Sequence, residues 1–391
     1  MSTHSPLGGS AAERYIKCPA SVNLVRKGIV KEDGAVVHAG EYENDEFSGP
    51  GTVAHELAAE CLKMETDPFI AIGEVRDGIK IDAEMVNAVS EYVNLVRGTH
   101  EGRVICAAEL SFHASTLHPL YYGTVDAVVT DWDADTMHIW DFKYGAGVSV
   151  EAVDNAQLKY YAAGLIETGG NLWNEIKYVM LHIVQPRAYH YAGTHRTELL
   201  TIDELKTWLI EILQPAMCEA LTSDEAVAGP HCQFCPARFY DCAALGEVVK
   251  EVADAICQKD RLHDLSGEEL VRIIELQSLF STVRIAAEKV AMKRLEDGQV
   301  VADDEIQYTL EKKSKQRIWK DGAKDAAIEE FGEDRVYGDK KLKTPAQIEK
   351  LAGGKKFTAE WADKPPSDEM KLARSAKKEP DNLDHIFKDM S

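Results

Sequence analysis

The stretch GTVDAVVTDWDADTMHIWDFK, residues 123–143, decides how this chain folds. Two runs rich in β-branched and aromatic residues flank a polar turn at 131–135, the pattern of a β-hairpin. Strand side chains alternate between faces, so Asp141 and Lys143, two residues apart, share one face. Asp126 stands in an otherwise apolar strand, where a charge is costly unless it is paired or bound to a metal. If the hairpin pairs as drawn, Asp126 can join that face. Two carboxylates and an amine then converge at a strand end, followed by the flexible Gly145 and Gly147. Carboxylate oxygens are the ligands that Mg2+ and Mn2+ prefer. Such a metal polarises a phosphodiester and acidifies a bound water, and a neighbouring lysine orients that water or offsets phosphate charge. The D-x-K spacing alone also fits a surface hairpin with an ion pair; the mid-strand Asp126 argues against that.

Working outward, residues 103–112 read as a further strand and 82–97 as an amphipathic helix with Met85, Val89, Tyr92, Val93 and Val96 on one face. A helix over 52–63 takes Thr52 as its N-cap. A first helix over 10–24 shows the capping-box spacing of Ser10 and Glu13 and is interrupted at Cys18-Pro19. Residues 28–50 read as a loop. Downstream, a helix over 155–168 closes at Gly169-Gly170, a strand follows over 176–185, and a helix over 202–221. This order predicts an α/β core with a mixed central sheet flanked by helices. Beyond about residue 250 the pattern is mostly helical, with one or two long helices over 266–298, a strand pair over 306–319 and a helix start at Thr344-Pro345. From 363 the chain reads as an extended or mobile tail. The expected divisions are 1–250, 251–362 and 363–391.

The net charge of -22 is unevenly spread. Residues 1–250 carry 18 Lys+Arg against 36 Asp+Glu, which counts against a nucleic-acid binder, although bound metal ions reverse the local sign. No apolar run reaches the roughly 20 residues of a membrane helix, and the first residues lack a signal-peptide pattern. The expectation is a cytoplasmic protein with no membrane partner.

Of the eight cysteines, three fall in HCQFCPARFYDC, residues 231–242, as Cys232, Cys235 and Cys242. Three thiols so close can bind one metal centre, with Cys18, also followed by proline, as a fourth ligand. Zinc held by the three with Cys18 or His231 is one option; unrelated cysteines in a helical region is another. Cys61, Cys106, Cys218 and Cys257 read as small core residues.

In this order and spacing, G-T-V-D126, D141-F-K143 and Gln157-x-x-x-Tyr161, with His55 upstream in V-A-H-E-L, resemble the PD-(D/E)XK nuclease superfamily in its RecB-like branch. The resemblance covers residues 10–245. It implies a PD-(D/E)XK core, with His55, Asp126 and Asp141 as ligands of Mg2+ or Mn2+ and Lys143 as the catalytic lysine. The Phe142 carbonyl often completes such a site. Glu109 stands where related exonucleases carry another acid, or is a solvated strand end. Gln157 and Tyr161 would line the DNA strand. One cysteine before the core and three after it resemble the family's iron–sulfur staple, implying a [4Fe-4S] cluster on Cys18, Cys232, Cys235 and Cys242. The implied activity is a metal-dependent DNA exonuclease of phage recombination or replication, working in the host cytoplasm. The alternatives are a non-catalytic DNA-binding scaffold that docks a phage single-strand-binding or recombination protein, and a zinc-stabilised interaction module. Residues 311–380 hold 18 Lys+Arg against 14 Asp+Glu. There the run Lys312, Lys313, Lys315, Arg317 with Trp319, and Lys355-Lys356-Phe357, form either a DNA-contacting surface or a solvated face.

Overall fold

The computed structural model describes residues 5–27, 29–30, 36–37, 48–99, 104–239, 242–257, 265–303, 306–312, 318–320, 322–332, 336–338, 341–342, 344–349, 354–363 and 370–376. It divides into two compact units, Met1–Ala286 and Ala287–Ser391. The first opens with helices α1 (Gly9–Lys17) and α2 (Ala20–Lys27), then the two-residue strands β1 (Ile29–Val30) and β2 (Val36–Val37). Next come α3 (Ser48–Met64), a small hairpin of β3 (Val75–Arg76) and β4 (Ile79–Lys80), and α4 (Ala83–Gly98). The central strands are β5 (Val104–His113), β6 (Tyr122–Asp131), β7 (Thr136–Phe142), β8 (Tyr178–Val184) and β9 (His195–Thr201). Helix α5 (Ala156–Gly169) joins β7 to β8. Helices α6 (Ile202–Trp208), α7 (Gln214–Glu219) and α8 (Ala243–Cys257) follow, and the long α9 (Gly267–Glu296) runs past Ala286 into the second unit.

The five strands lie in the order β5-β6-β7-β8-β9, antiparallel throughout except for the parallel β7–β8 pair. The chain is therefore α/β with a mixed sheet flanked by helices, as its pattern predicts. A parallel pair needs a crossover, and α5 supplies it. Each face of the sheet builds its own core. Val128, Met137, Ile139, Leu181 and Ile183 pack with Tyr15, Leu158, Tyr160 and Leu213 on one side. Ala127, Val129, Trp140, Phe142 and Val184 pack with Val53, Leu57, Met85, Val89 and Tyr92 of α3 and α4 on the other. The strand alternation separates the two sets.

Several expectations are corrected. Ser10 is not an N-cap: α1 starts at Gly9, because the preceding turn docks on the core through Ser5 Oγ, which donates to the Leu120 carbonyl at 2.6 Å. Glu13 instead pairs with Lys17 one turn on, at 2.7 Å. Helix α3 begins at Ser48, so Thr52 lies inside it. Strand β9, HRTELLT, was not foreseen; at the sheet edge it is half-exposed and its charges mask its β pattern. Cys106 and Cys218 are exposed, Cys61 joins the core, and the Cys257 side chain lies outside what is described.

In the second unit the strand Ile306–Lys312 pairs with Met370–Ala376, and Ile318–Trp319 pairs with Ala362–Asp363. The expected local strand pair over 306–319 is thus replaced by long-range pairing, and part of the expected mobile tail is a strand. Residues 313–317 of the basic run lie outside the described residues. Phe357 is buried with Phe331, Val336 and Ile348, so it packs a core rather than offering a ring to DNA. No helix among the described residues is long and apolar enough to cross a membrane.

A row of imidazoles crosses three strands. His138 Nδ1 lies 2.9 Å from His182 Nε2, and His182 Nδ1 lies 2.9 Å from His195 Nε2. Trp140 stacks on His182 at 3.7 Å between ring centroids. Burial and then the two neighbouring rings push His182 down to about 2. The unfolded chain, titrating near ~6.5, takes up the proton first, so stability falls as pH drops below that value. At pH 5.5 this costs about 1.4 kcal/mol. Urea unfolding at pH 7.5 and 5.5 should show a loss of that order in excess of the loss in His182→Gln. Gly164 on α5 is a close-approach position, since a Cβ there would lie 2.0 Å from the Phe112 ring. Gly164→Ala should cost about 1–3 kcal/mol by overpacking, read as a lower urea midpoint.

Candidate functional site

The site lies where β6 and β7 part. Their ladder ends at the Ala127–Trp140 pair, while β6 continues against β5 and β7 continues against β8. One step past that pair, Asp126 and Asp141 face each other across the opening. The Asp126 carboxylate closes the crotch of the fork, with Oδ2 accepting the Phe142 N–H at 2.8 Å. The face pattern of β6 also breaks here: Val125 and Val128 join one core, Ala127 and Val129 the other. Across from Asp126, Glu109 interrupts the β5–β6 pairing with φ of 52°, a left-handed conformation that a non-glycine residue adopts at a cost.

Helix α3 brings His55 to this point, its Nδ1 3.3 Å from Asp126 Oδ2. His55, Tyr92, Glu109, Asp126 and Phe142 line a cavity of about 20 Å3, the size of one water or one ion. Glu109 is turned to Lys63, with which it forms an ion pair. Tyr92 was expected only as part of an apolar helix face. Its ring stacks on Phe142 at 4.8 Å, and its buried hydroxyl has no hydrogen-bond partner. Burial, then Asp126 and Asp141, hold that hydroxyl firmly protonated.

Asp141 is buried at the end of β7, and Lys143 follows on the same face. Lys143 Nζ donates to Asp141 Oδ1 at 3.1 Å and lies 2.9 Å from Oδ2. Oδ2 is buried and is held by that ion contact alone. Lys143 also donates to Gln157 Oε1 at 3.1 Å, and Gln157 Nε2 donates to the Tyr161 hydroxyl at 3.1 Å. Both belong to α5, one turn apart, and Asn155 caps that helix by accepting the Leu158 N–H. The Tyr161 ring lies against Gly9 and Gly123, where a Cβ would come within 2.9 and 3.3 Å of it. The glycine of G-T-V-D is thus the seat of the tyrosine ring.

Burial penalises every charge here, and the partners decide the outcome. It opposes the carboxylate at Asp126, but His55, the Phe142 N–H and Lys143 hold that group below the usual range. It opposes the cation at His55, which Asp126 and Asp141 nevertheless carry above its usual value. At Asp141 burial and the Asp126 charge prevail, and the carboxyl is raised. Against burial, Asp141 and Asp126 raise Lys143, which therefore stays an ammonium. Asp126 and Lys143 each keep 26% of the side chain exposed, so water screens part of these effects.

The segment after Lys143 was expected to be flexible through Gly145 and Gly147; hydrogen bonds hold it instead. Buried Gln185 donates to the carbonyls of Gly145 and Val148 at 3.1 and 2.9 Å and accepts the Val150 N–H at 3.0 Å. Buried Arg196 holds Gln185 Oε1 at 2.9 Å and the Val150 carbonyl at 2.8 Å. Neither residue was foreseen, since the only sequence signal is a polar residue ending one strand and a charge in an edge strand. The segment walls a groove of about 680 Å3 lined by Thr52, His55, Lys143, Val148, Val150 and Phe234 among others.

Of the four cysteines singled out from the sequence, Cys232 and Cys242 share one small core, and Cys18 docks on the segment that leads to it. Cys18 ends α1, and its Sγ accepts the Val227 N–H at 3.3 Å, while Ala20 N–H donates to the Glu225 carbonyl at 2.9 Å. Cys232 Sγ accepts the Gly229 N–H at 3.4 Å. Burial pushes Cys232 up to about 11, with Cys235, Cys242 and Cys18 adding repulsion. Burial likewise raises Cys18, and Cys235 and Cys242 add to it. His231 turns its Nε2 to the Val227 carbonyl at 2.9 Å, leaving a buried Nδ1 without a partner.

Among the described residues no three His, Cys, Asp or Glu side chains already form a metal cage. The donor chemistry fits nonetheless. The Asp126 and Glu109 carboxylates and the His55 imidazole border an ion-sized cavity, and the N–H···S bonds to Cys18 and Cys232 suit thiolate ligands. A family model matches residues 4–379, nearly the whole chain. The chain belongs to that family, described as "Protein of unknown function (DUF2800)".

Proposed function

We propose that the chain is a metal-dependent deoxyribonuclease with a PD-(D/E)XK core of the RecB-like type, an exonuclease that hydrolyses phosphodiester bonds at DNA ends in phage recombination or replication. One observation carries the reading. The fork joins His55, Asp126, Asp141, Lys143, Gln157 and Tyr161 into one connected set around the buried Asp141 carboxylate.

Asp126, Asp141 and His55 would hold Mg2+ or Mn2+, and Glu109 would join them on release from Lys63. When bound, the ion polarises the phosphodiester and acidifies a water. The chain's own residues do the rest. Lys143 is a cation rather than a general base, so it orients the nucleophilic water and offsets phosphate charge. Gln157 fixes the Lys143 ammonium through its carbonyl oxygen, and Tyr161 fixes Gln157, so the two position the lysine as well as face the strand. Cys18, Cys232, Cys235 and Cys242 would hold a [4Fe-4S] cluster, with zinc the rival. The cluster cross-links α1 to the segment after the core.

The acidity of residues 1–250 favours a second reading, a scaffold of the same fold that docks a replication or recombination partner. Cleavage separates the two. End-labelled linear and closed circular DNA, incubated with Mg2+ or Mn2+, should show digestion of the linear form. Asp126→Ala and Lys143→Ala should each slow it by roughly 100-fold or more with an unchanged circular dichroism spectrum. Wild-type rates in both variants would refute the site.

Protein purified without oxygen should be brown, with broad visible absorption from thiolate-bound iron. Cys235→Ser should bleach it and lower its thermal midpoint. Colourless anaerobic protein with stoichiometric zinc would favour the rival centre.

A further inference from the structure

Phe234 sits between Cys232 and Cys235 and is 66% exposed, while its two cysteine neighbours are each 7% exposed. The short turn Pro230–Phe234 closes with the Cys235 N–H donating to the Cys232 carbonyl at 3.1 Å, and Arg238 donates to the Gln233 carbonyl. The ring is thus held out into water by a backbone anchored on both sides. It does not face open solvent at random. Phe234 lines the same groove as His55, Lys143 and the segment that Gln185 and Arg196 hold in place. That segment is apolar, with Val148 48% exposed. In a chain of net charge -22, the described residues lining the groove include Lys143 and His55 and no Asp or Glu.

A groove that presents both the Lys143 ammonium and the exposed Phe234 ring matches one kind of occupant. The ammonium suits a phosphate, and the ring suits the face of a planar base. A base inside a duplex has both faces covered by its neighbours, so only an unstacked base can lie on Phe234. We infer that the groove between the Phe234 turn and the 144–150 segment is a subsite for a single-stranded DNA end, with Phe234 stacking on an unpaired base beside the scissile phosphate. The inference rests on the nuclease reading and adds the substrate form and the residue that selects it. It also gives the cysteine centre a second consequence: the turn that supplies Cys232 and Cys235 sets the position of the stacking ring.

The test uses the full-length protein in Ca2+, which supports binding with little cleavage. Single-stranded oligonucleotides with 2-aminopurine at successive positions from the end, and the matching blunt duplexes, are titrated against wild type, Phe234→Ala, Phe234→Leu and Phe234→Tyr. Stacking quenches 2-aminopurine, and anisotropy of a label at the far end reads affinity. Wild type should quench the probe at one position near the end. Phe234→Ala should lose that quench and bind the single strand roughly 5- to 150-fold more weakly, the range of one base–aromatic stack. Phe234→Leu, which keeps apolar bulk without a ring, should behave like Phe234→Ala, and Phe234→Tyr should restore both signals. Affinity for the blunt duplex should change little. Wild-type quench and affinity in Phe234→Ala or Phe234→Leu would overturn the inference and leave the nuclease reading to the Asp126 and Lys143 variants. A wild-type protein that binds neither form of DNA would overturn both.

Discussion

The site depends on a fork in the sheet. Strands β6 and β7 are hydrogen-bonded through Ala127 and Trp140 and then part, each remaining with its other neighbour. A parted pair exposes backbone N–H groups, which are costly to leave unmade away from water. Asp126 satisfies the first of them, the Phe142 N–H, at 2.8 Å. The same carboxylate thereby stands across from Asp141 and within reach of His55. One hydrogen bond closes the sheet defect and sets the geometry of the charges around it.

The charges are tolerated because they form a chain rather than a pair. Buried Asp141 would be expensive alone. Lys143 answers it, Gln157 holds Lys143, and Tyr161 holds Gln157. Packing then fixes the end of the chain, since the Tyr161 ring rests on two glycines, Gly9 of α1 and Gly123 of β6. A second buried polar pair, Gln185 and Arg196, performs the same service for the segment after Lys143 by occupying its carbonyls and N–H groups. The charged groups are thus positioned by elements drawn from both sides of the sheet, an arrangement that preorganises a site.

The cysteine segment ties residues far apart in the chain. Cys18 and Ala20 dock on Val227 and Glu225, which seats α1 against the strand-crossing helix α5 that carries Gln157 and Tyr161. Helix α1 in turn supplies Gly9 to the tyrosine. The segment that holds Cys18 and the helix that holds Gln157 and Tyr161 are thus joined through α1.

The sequence alone determined the hairpin of 123–143, the mixed sheet, most helix positions and the set His55, Asp126, Asp141, Lys143, Gln157 and Tyr161. Those features are local: alternation, turn residues and one-turn helical spacing leave their mark within a few positions. It also singled out the four cysteines, whose spacing is unusual in a chain of this composition. Only the tertiary structure decided the fork, because where a ladder ends depends on which neighbour each strand keeps. It alone showed the left-handed Glu109, the buried Tyr92 hydroxyl and the pinning of 144–150 by Gln185 and Arg196, which are relations between distant segments. Strand β9 was hidden by the polar residues of a half-exposed edge, and the strand Met370–Ala376 by a charged composition that only its distant partner Ile306–Lys312 overrides. Long-range pairing leaves no periodic trace in either strand by itself, and for that reason a pattern reading places the chemistry but not the frame that holds it.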